Sequence, residues 1–430
     1  MEQKVFAKAG WRIIPFLVLL FVVAYVDRVN VGFAALTMNH ALGLSDEEFG
    51  FGAGIFFWGY FLFEVPSNVL LERVGARRWI FRIILTWGLV SMAMALVKGA
   101  TSFYALRFTL GLAEAGFFPG MILYLTYWFP PHLRARFGAF FLAAIPLSSV
   151  IGAPISSEIL GVDGLLGLAG WQWLFVLEGL PACVLAFVVL AYLPDGPADA
   201  RWLSEEEKSV IGHALARDNR HEHHGLWAGL GDPRVWALSL IYFGIVVAVY
   251  GVNFWLPEIV KAHGFSVHAT GYVVALPYLV SIVAMILWGR SSDAFGERIW
   301  HVAIPALAAA GGLIGAAIFQ TDMVSLYFLT LAAAGIFASL APFWSLPSGF
   351  LGGTAAAGGI ALINAIGNLG GFFGPAIMGF FKQLTGSYAT GLVGLSGGLI
   401  LAAVAVLLLG RSRAFQLRAR AFDKFAPPTA

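Results

Sequence analysis

The sequence predicts an all-α integral membrane protein, and three observations lead to that fold class. The chain has 430 residues, of which 59% are hydrophobic and only 12% are charged, whereas about 25% are charged in an ordinary soluble domain. Apolar runs of about twenty residues recur along the chain, each long enough to cross about 30 Å of hydrocarbon. The runs form two sets of six, separated by one long hydrophilic stretch. This composition excludes a soluble globular enzyme, a disordered chain and a secreted disulfide scaffold.

Six of the predicted spans precede residue 195 and six follow residue 233. The first set comprises Trp11–Met38, Phe49–Leu71, Trp79–Val97, Phe103–Phe129, Phe137–Leu160 and Trp171–Leu193. The second set comprises Val235–Val260, Thr270–Gly289, Trp300–Phe319, Val324–Pro347, Ala355–Phe381 and Thr390–Leu409. The first span is longer than the core of a signal peptide and no small-residue cleavage site follows it. We therefore expect it to remain as a helix of the mature protein.

The lysines and arginines of the short loops predict the orientation, because cytoplasmic loops carry an excess of these residues. Alternate loops and the tail are rich in arginine, with Arg73, Arg77, Arg78, Arg82, Arg134, Arg136, Arg290, Arg298, Arg411, Arg413, Arg418 and Arg420. The only lysines or arginines in the other loops are Lys98, Lys261 and Lys382. We therefore expect both termini to be cytoplasmic.

The hydrophilic stretch between the two sets divides the chain into three predicted parts. These are a six-helix bundle at 1–193, a cytoplasmic linker at 194–233, and a second bundle with a basic tail at 234–430. Ser204 and Glu207 have the spacing of a capping box, which predicts a short amphipathic helix in the linker. Histidines at 221, 223 and 224 lack the Cys or Asp that would complete a metal site, so a solvated loop is preferred. We expect no metal or organic cofactor, and a net charge of +2 does not indicate a nucleic-acid partner.

A short motif occurs at equivalent places in the two halves, which indicates that the halves are related units. It consists of an acid, a glycine three residues later and an arginine two residues after that. The motif residues are Glu72, Gly75 and Arg77 after the second span, where Arg73 adjoins the acid, and Asp293, Gly296 and Arg298 after the eighth. The glycine permits a tight turn between antiparallel helices. We expect the acids and arginines to pair with each other and with neighbouring helix ends when the cytoplasmic side is closed, so both loops are candidate gates.

Several charged residues lie well inside predicted spans of the first half. They are Asp27 and Arg28 in the first span, Glu64 in the second, and Arg107 and Glu114 in the fourth. Each costs roughly 2.5–3.5 kcal/mol at the bilayer centre on insertion scales, so each must face a partner or a polar interior. Asp27 and Arg28 diverge by about 100° on a helix. We expect Asp27 to face the fourth span and contact Arg107.

The chemistry of these side chains divides their expected roles. Arginine keeps its proton and its planar fork suits a carboxylate, so Arg28 is the first candidate for binding an anionic substrate. Tyr25 shares the helix face of Arg28. Burial disfavours the charged form of a carboxyl group, so Asp27 and Glu114 are candidate proton-binding residues. A static network of charges remains the alternative, and Arg107 fits a structural, coupling or substrate-binding role.

The second half has almost no charge inside its spans, so its candidates are neutral polar and aromatic residues. Asn364, Trp344 and Ser345 are the candidate substrate contacts there. Two further carboxylates of the first half, Glu158 and Glu178, lie nearer the ends of their spans, and we expect them at the membrane interface.

The loop pair, the six-plus-six layout and the hydrophilic linker resemble the major facilitator superfamily. Longer runs resemble its anion:cation symporter branch, which takes up organic acids such as tartrate, sugar acids and aromatic carboxylates. These runs are Tyr25–Asn30, Phe63–Asn68, Arg107–Gly120, Asp195–Leu203, Phe254–Pro257, Glu297–His301 and Asn364–Phe372. Asn68 departs from the general loop pattern, which begins with glycine.

The resemblance implies a major facilitator fold in the bacterial inner membrane, acting as a monomer. It implies proton-coupled uptake of a small organic anion by alternating access, with Asp27 and Glu114 coupling to protons and with Arg28 and Tyr60 contacting substrate. An anion exchanger or a Na⁺-coupled symporter of the same fold remains open, and a solute sensor is a more distant alternative. Zinc-protease, nucleotide-loop and Ser-His-Asp patterns are absent from the sequence, so we do not expect an enzyme.

Overall fold

The computed structural model describes residues 2–218, 231–347 and 353–411, and these residues form helices and loops without a β-strand. Twelve helices or helix pairs are long and apolar enough to cross a membrane. The predicted fold class and the number of spans are therefore confirmed. The histidines at 221–224 and the basic residues beyond 411 lie outside the described residues.

The chain divides into two compact units, which we call the first unit (Met1–His221 with Gly264–Ala275) and the second unit (Glu222–His263 with Leu276–Ala430). The membrane helices of the first unit are α1 (Glu2–Val29), α2 (Val31–Leu42), α3 (Asp46–Val74), α4 (Ala76–Ala93), α5 (Ala100–Glu114), α6 (Phe117–Thr126), α7 (Pro131–Leu160) and α8 (Gly170–Tyr192). The linker helix is α9 (Glu205–Asp218). The remaining helices are α10 (Pro233–Ala262), α11 (Val267–Phe295), α12 (Ile299–Ile318), α13 (Val324–Ser345), α14 (Gly353–Thr385) and α15 (Tyr388–Arg411).

The fourth span is broken directly after Glu114, where the sequence analysis predicts one continuous helix. Ala115 adopts extended ψ, and Gly116 has φ +82°, in the left-handed region that favours glycine. Pro119 gives the physical reason, because its ring would clash with the carbonyl of residue 115 in a continuous helix. The break places Glu114 at the last position of α5.

Glycines let α3 and α5 approach until their backbones touch. A Cβ added to Gly111 would lie 2.0 Å from the carbonyl oxygen of Phe56, and one added to Gly59 would lie 2.3 Å from that of Phe108. Small residues at such positions allow close packing of membrane helices, where lipid supplies no hydrophobic driving force. This contact fixes the position of α5, and hence of Glu114, against α3.

The linker helix α9 belongs to the first unit and packs against α1. Ser204 and Glu207 cap its start reciprocally, since the Glu207 backbone N–H donates to Ser204 Oγ at 3.2 Å and the Ser204 N–H donates to Glu207 Oε2 at 2.9 Å. Lys8 Nζ lies 2.8 Å from Glu207 Oε2. Trp202 stacks on Trp128 with the ring centroids 5.6 Å apart. The linker is thereby attached to α1 and to the chain that follows α6.

Candidate functional site

The buried charges of the first unit converge where α1 meets the end of α5. Arg28 donates from Nε to Glu114 Oε1 at 3.1 Å, and its Nη2 donates to the same oxygen. Both residues are buried. A buried pair of opposite charge is stable only while both partners remain, because removing one leaves an uncompensated charge.

Three aromatic rings surround the Arg28 guanidinium. Its central carbon lies 5.3 Å from the ring centroids of Phe56 and Tyr60 and 5.9 Å from that of Tyr25. Cations over aromatic faces are attracted by the ring quadrupole. The structure thus brings Tyr25 and Tyr60, both predicted from the sequence, next to Arg28. Phe56 was not predicted, since a phenylalanine in an apolar span carries no distinguishing signal.

Asp27 faces α4, so the expected contact between Asp27 and Arg107 is wrong. The Trp87 indole N–H donates to Asp27 Oδ2 at 2.8 Å, and the Ser91 hydroxyl donates to Oδ1 at 3.1 Å. Asp27 and Arg28 point in different directions from α1, as their spacing requires. Because Arg28 is directed towards α5, Asp27 reaches the third span instead of the fourth.

Arg107 is fully buried on α5, two turns before Glu114. Its Nη2 donates to the carbonyl oxygen of Ala53 at 2.9 Å, and its guanidinium lies 5.2 Å from the Phe56 ring centroid. Phe56 therefore contacts both buried arginines. Arg107 also interacts electrostatically with Glu114, so the carboxyl group of Glu114 lies in the field of two cations.

Two other carboxylates of the first unit, Glu64 and Glu178, are buried as well. Glu64 is buried on α3, where its backbone carbonyl accepts a hydrogen bond from Asn68 Nδ2 at 3.0 Å. Glu178 on α8 is also buried, with 6% of its surface exposed, so its expected interfacial position is wrong. The reason is that Ser156 of α7 and Asn30, which follows α1, lie against this carboxyl group, and its position in the span does not reveal that packing.

The predicted residues of the second unit differ in burial. Asn364 on α14 is buried, whereas Trp344 and Ser345 at the end of α13 are half-buried. The Trp344 ring packs edge-on against Tyr242 with the ring centroids 4.9 Å apart. A buried hydrogen bond from the Tyr278 hydroxyl to Asn253 Oδ1 was not predicted as a pair.

The two predicted gating loops differ in their pairing. In the second loop, Arg298 Nη1 lies 2.7 Å from Asp293 Oδ1, and Gly296 has φ +61°. The expected pairing of acid and arginine is present there. In the first loop, the backbone N–H of Arg77 instead donates to Asp195 Oδ1 at 2.9 Å.

The first loop is therefore attached to the start of the linker. A Cβ added to Gly75 would lie 3.0 Å from Asp195 Oδ1, and the backbone of Gly75 has φ +97°. Glu72 and Arg73 are exposed. The carboxylate that caps the first turn of α4 comes from Asp195, and among the described contacts no ion pair joins Glu72 to Arg77. The pairing expected when the cytoplasmic side is closed stays a prediction.

Comparisons with known proteins place these observations in context. The sequence matches the family model described as Major Facilitator Superfamily over residues 17–375 and 238–429. A protein of Agrobacterium vitis, named as a candidate tartrate transporter, is 52% identical over 415 residues, covering 96% of each chain. A quinolone resistance transporter of Acinetobacter baumannii is 42% identical over 421 residues, covering 96% of this chain and 97% of the relative.

Solved structures share the fold at much lower identity. The crystal structure of a D-xylose-proton symporter superimposes with a TM-score of 0.74 at 18% identity, covering 93% of this chain and 97% of that one. The inward open xylose transporter XylE of Escherichia coli gives a TM-score of 0.75 at 16% identity, covering 96% and 99%.

Proposed function

Because the chain belongs to the Major Facilitator Superfamily, we propose that it couples the uptake of a small organic anion to the entry of protons. The family expected from the sequence is confirmed, and the protein is a multi-pass membrane transporter rather than an enzyme.

The observation that carries the proposal is the buried pair of Arg28 and Glu114. The guanidinium of Arg28 can bind the carboxylate of Glu114 or that of a substrate, and the two compete for the same donors. When Glu114 takes up a proton, it loses its charge and its hold on Arg28 weakens. Arg28 is then available to an anion, so proton binding and anion binding support each other.

Asp27 provides a second place for a proton in this proposal. Its two oxygens accept hydrogen bonds from Trp87 and Ser91 on α4. A proton on either oxygen removes charge from a fully hydrogen-bonded carboxylate and weakens the attachment of α1 to α4. Protonation of Asp27 would thereby affect the packing of α1 against α4 as well as the binding of substrate.

The proposed substrate is a small carboxylate of the tartrate class. The carboxylate of the substrate would bind Arg28. The rings of Tyr25 and Tyr60, each of which carries a hydroxyl group, lie beside the Arg28 guanidinium. Support comes from the relative at 52% identity, whose name refers to tartrate. A thermal-shift screen of purified protein against hydroxy acids, sugar acids and aromatic acids would identify the preferred class.

Uptake of labelled tartrate into proteoliposomes tests the proton coupling. With an acidic exterior, we expect wild-type protein to accumulate tartrate above the level reached without a gradient. Glu114→Gln should lose this accumulation but keep tartrate exchange, because glutamine cannot cycle a proton. Glu47→Gln is the matched control, since Glu47 is an exposed glutamate of the same unit.

The alternatives predict other dependences in the same assay. Accumulation that follows a Na⁺ gradient, or that requires an internal counter-anion and ignores pH, would contradict proton coupling. Gradient-driven accumulation that persists in Glu114→Gln would contradict the role given to Glu114.

A further inference from the structure

The proposed function gives no role to Glu178, a buried carboxyl group on α8. It lies inside the sixth span, where the side chain is removed from water. Within the described residues, no ion pair joins Glu178 to a lysine or arginine. A carboxyl group buried without a cation is costly in its charged form, so this position needs a reason.

The immediate neighbours of Glu178 can serve both of its protonation states. Ser156 Oγ on α7 donates to Glu178 Oε1 at 2.7 Å, and the carboxamide of Asn30 lies beside the carboxyl group. In the described part of the chain, Glu178 Oε2 and the Asn30 side chain form no well-aligned hydrogen bond. The Asn30 carboxamide can donate from Nδ2 to an ionised Oε2, or accept at Oδ1 the proton of a neutral Oε2.

Glu178 is also connected to the proposed proton-binding residue Asp27. Asn30 follows Asp27 by three residues, and residues at this spacing lie on one helix face. The carboxyl groups of Asp27 and Glu178 interact electrostatically. Among the described residues of α1, α2, α4 and α7, which pack against α8, Asp27 is the charged side chain that interacts with Glu178. Two like charges in one desolvated region oppose each other's ionisation.

We propose that Glu178 is a second proton-binding residue of the first unit, which alternates with Asp27 so that one carboxyl group is neutral while the other is ionised. The proton comes from water, binds Oε2 and returns to water, so the exchange needs no other reactant. In this proposal Asp27, whose two oxygens accept hydrogen bonds from Trp87 and Ser91, is the ionised member. Glu178, whose Oε2 has no well-aligned hydrogen bond among the described residues, is the member assigned the proton. The inference rests on the proposed function for its place in transport, but proton binding by Glu178 can be measured without transport.

Infrared difference spectroscopy of purified protein in lipid tests proton binding directly. Between about pH 5 and about pH 9, wild-type protein should lose a protonated-carboxyl band that Glu178→Gln lacks and the control Glu47→Gln keeps. In Asp27→Asn, the band should be lost at a pH lower by about half a unit or more, because the opposing charge is gone. A wild-type spectrum without such a band, or a midpoint unchanged in Asp27→Asn, would overturn the proposal.

A second variant keeps the test decisive if Glu178→Gln folds poorly. Ser156→Ala keeps the carboxyl group but removes the hydroxyl that stabilises its ionised form, so the band should persist to higher pH. A band unchanged in Ser156→Ala would contradict the assignment.

Proteoliposomes separate this inference from the proposed function. If Glu178 takes part in coupling, Glu178→Gln should retain tartrate exchange and change the pH profile of gradient-driven uptake, whereas Glu47→Gln should leave the profile unchanged. Reduced uptake with an unchanged pH profile would show a structural role. If the wild type shows no proton-driven uptake, the proposed function fails, and the infrared result still decides whether Glu178 binds a proton.

Discussion

Arg28 and Glu114 satisfy each other in a place where neither charge would be stable alone. The pair lies beside the rings of Tyr25, Phe56 and Tyr60, which favour the cation but offer no competing carboxylate. The energetic balance at Arg28 is therefore set by which anion occupies its donors. At the scale of single residues, the proposed transport is an exchange of one carboxylate for another at Arg28.

Replacing Arg28 by lysine should distinguish the contribution of the positive charge to tartrate binding from that of the planar guanidinium. Arg28→Lys keeps a positive charge but loses the planar fork that binds a carboxylate through two donors. We expect tartrate affinity, measured by thermal shift or isothermal titration, to fall by about tenfold or more, equivalent to about 1.4 kcal/mol. Arg12→Lys, which alters an arginine beside Trp202, is the matched control and should bind tartrate normally. Equal affinities in the two variants would remove Arg28 from the substrate site.

The sequence predicted those site residues whose type is unusual in an apolar span. Asp27, Arg28, Arg107 and Glu114 stood out because a charge in an apolar span is rare and costly. The partners of these residues could not be predicted in the same way. Whether Asp27 bonds to Trp87 or to Arg107 depends on which helix lies next to α1. Glu178 was misplaced for the same reason, because burial of a helix face is a property of the packed unit.

At the scale of helices, the hydropathy of the sequence predicted all twelve spans but not the interruption of the fourth. A single Gly116 and a Pro119 within an apolar run are compatible with either a kinked or a divided helix. The structure divides it, with Gly116 against Ser67 on α3. This close approach shows why a side chain at residue 116 is incompatible with the packing.

Gly116→Ala should therefore destabilise the first unit. The new Cβ would lie 2.3 Å from Ser67 Oγ, at a backbone conformation with φ +82° that alanine rarely adopts. We expect a loss of about 1–3 kcal/mol from strain and overpacking, read as a lower melting temperature in detergent. Gly311→Ala, at a helix position with open space around it, should leave the melting temperature unchanged or raise it. Equal melting temperatures for the two variants would contradict this account.

The attachment of α9 to the first unit should weaken in acid. The hydrogen bond from Lys8, and then that from the Ser204 backbone, lower the pKa of Glu207 below its ordinary value. A lowered folded pKa means that the contribution to docking is complete above the unfolded pKa, about 4.3, and is lost as pH falls through the lower, folded value. Hydrogen exchange of α9, corrected for intrinsic rates, should therefore accelerate in acid.

Glu207→Gln tests this assignment. Glutamine does not titrate, so exchange in α9 should be faster at neutral pH and nearly independent of pH. Glu206→Gln, an exposed neighbour, should behave as the wild type. An acid-induced acceleration that survives in Glu207→Gln would assign the effect to another group.

At the scale of the whole molecule, the two units divide the chemistry unequally. The first unit holds the buried charges, whereas the described part of the second unit offers neutral groups such as Asn253, Tyr278 and Asn364. The loops that repeat the same motif also differ, because one pairs within itself and the other pairs with Asp195. Related sequence motifs have thus acquired different partners in the two halves.

The orientation of the molecule follows from the arginine-rich loops and remains a prediction that labelling can decide. After Cys183→Ser removes the single cysteine, Asp199→Cys and Thr321→Cys place exposed thiols on loops expected at opposite membrane faces. An impermeant maleimide should label Asp199→Cys in inside-out vesicles and Thr321→Cys in right-side-out vesicles. The reverse pattern would place the termini outside the cytoplasm.

The interruption between α5 and α6 has a mechanical consequence. A continuous helix resists bending because each turn is tied to the next by backbone hydrogen bonds, and Pro119 has no N–H with which to form one of these bonds across the interruption. Bending at residues 115–116 therefore costs less work than bending elsewhere along the span. Since Glu114 lies on the near side of this hinge, α6 can tilt while the carboxyl group stays with Arg28. The fourth span can thus behave as two rods joined end to end.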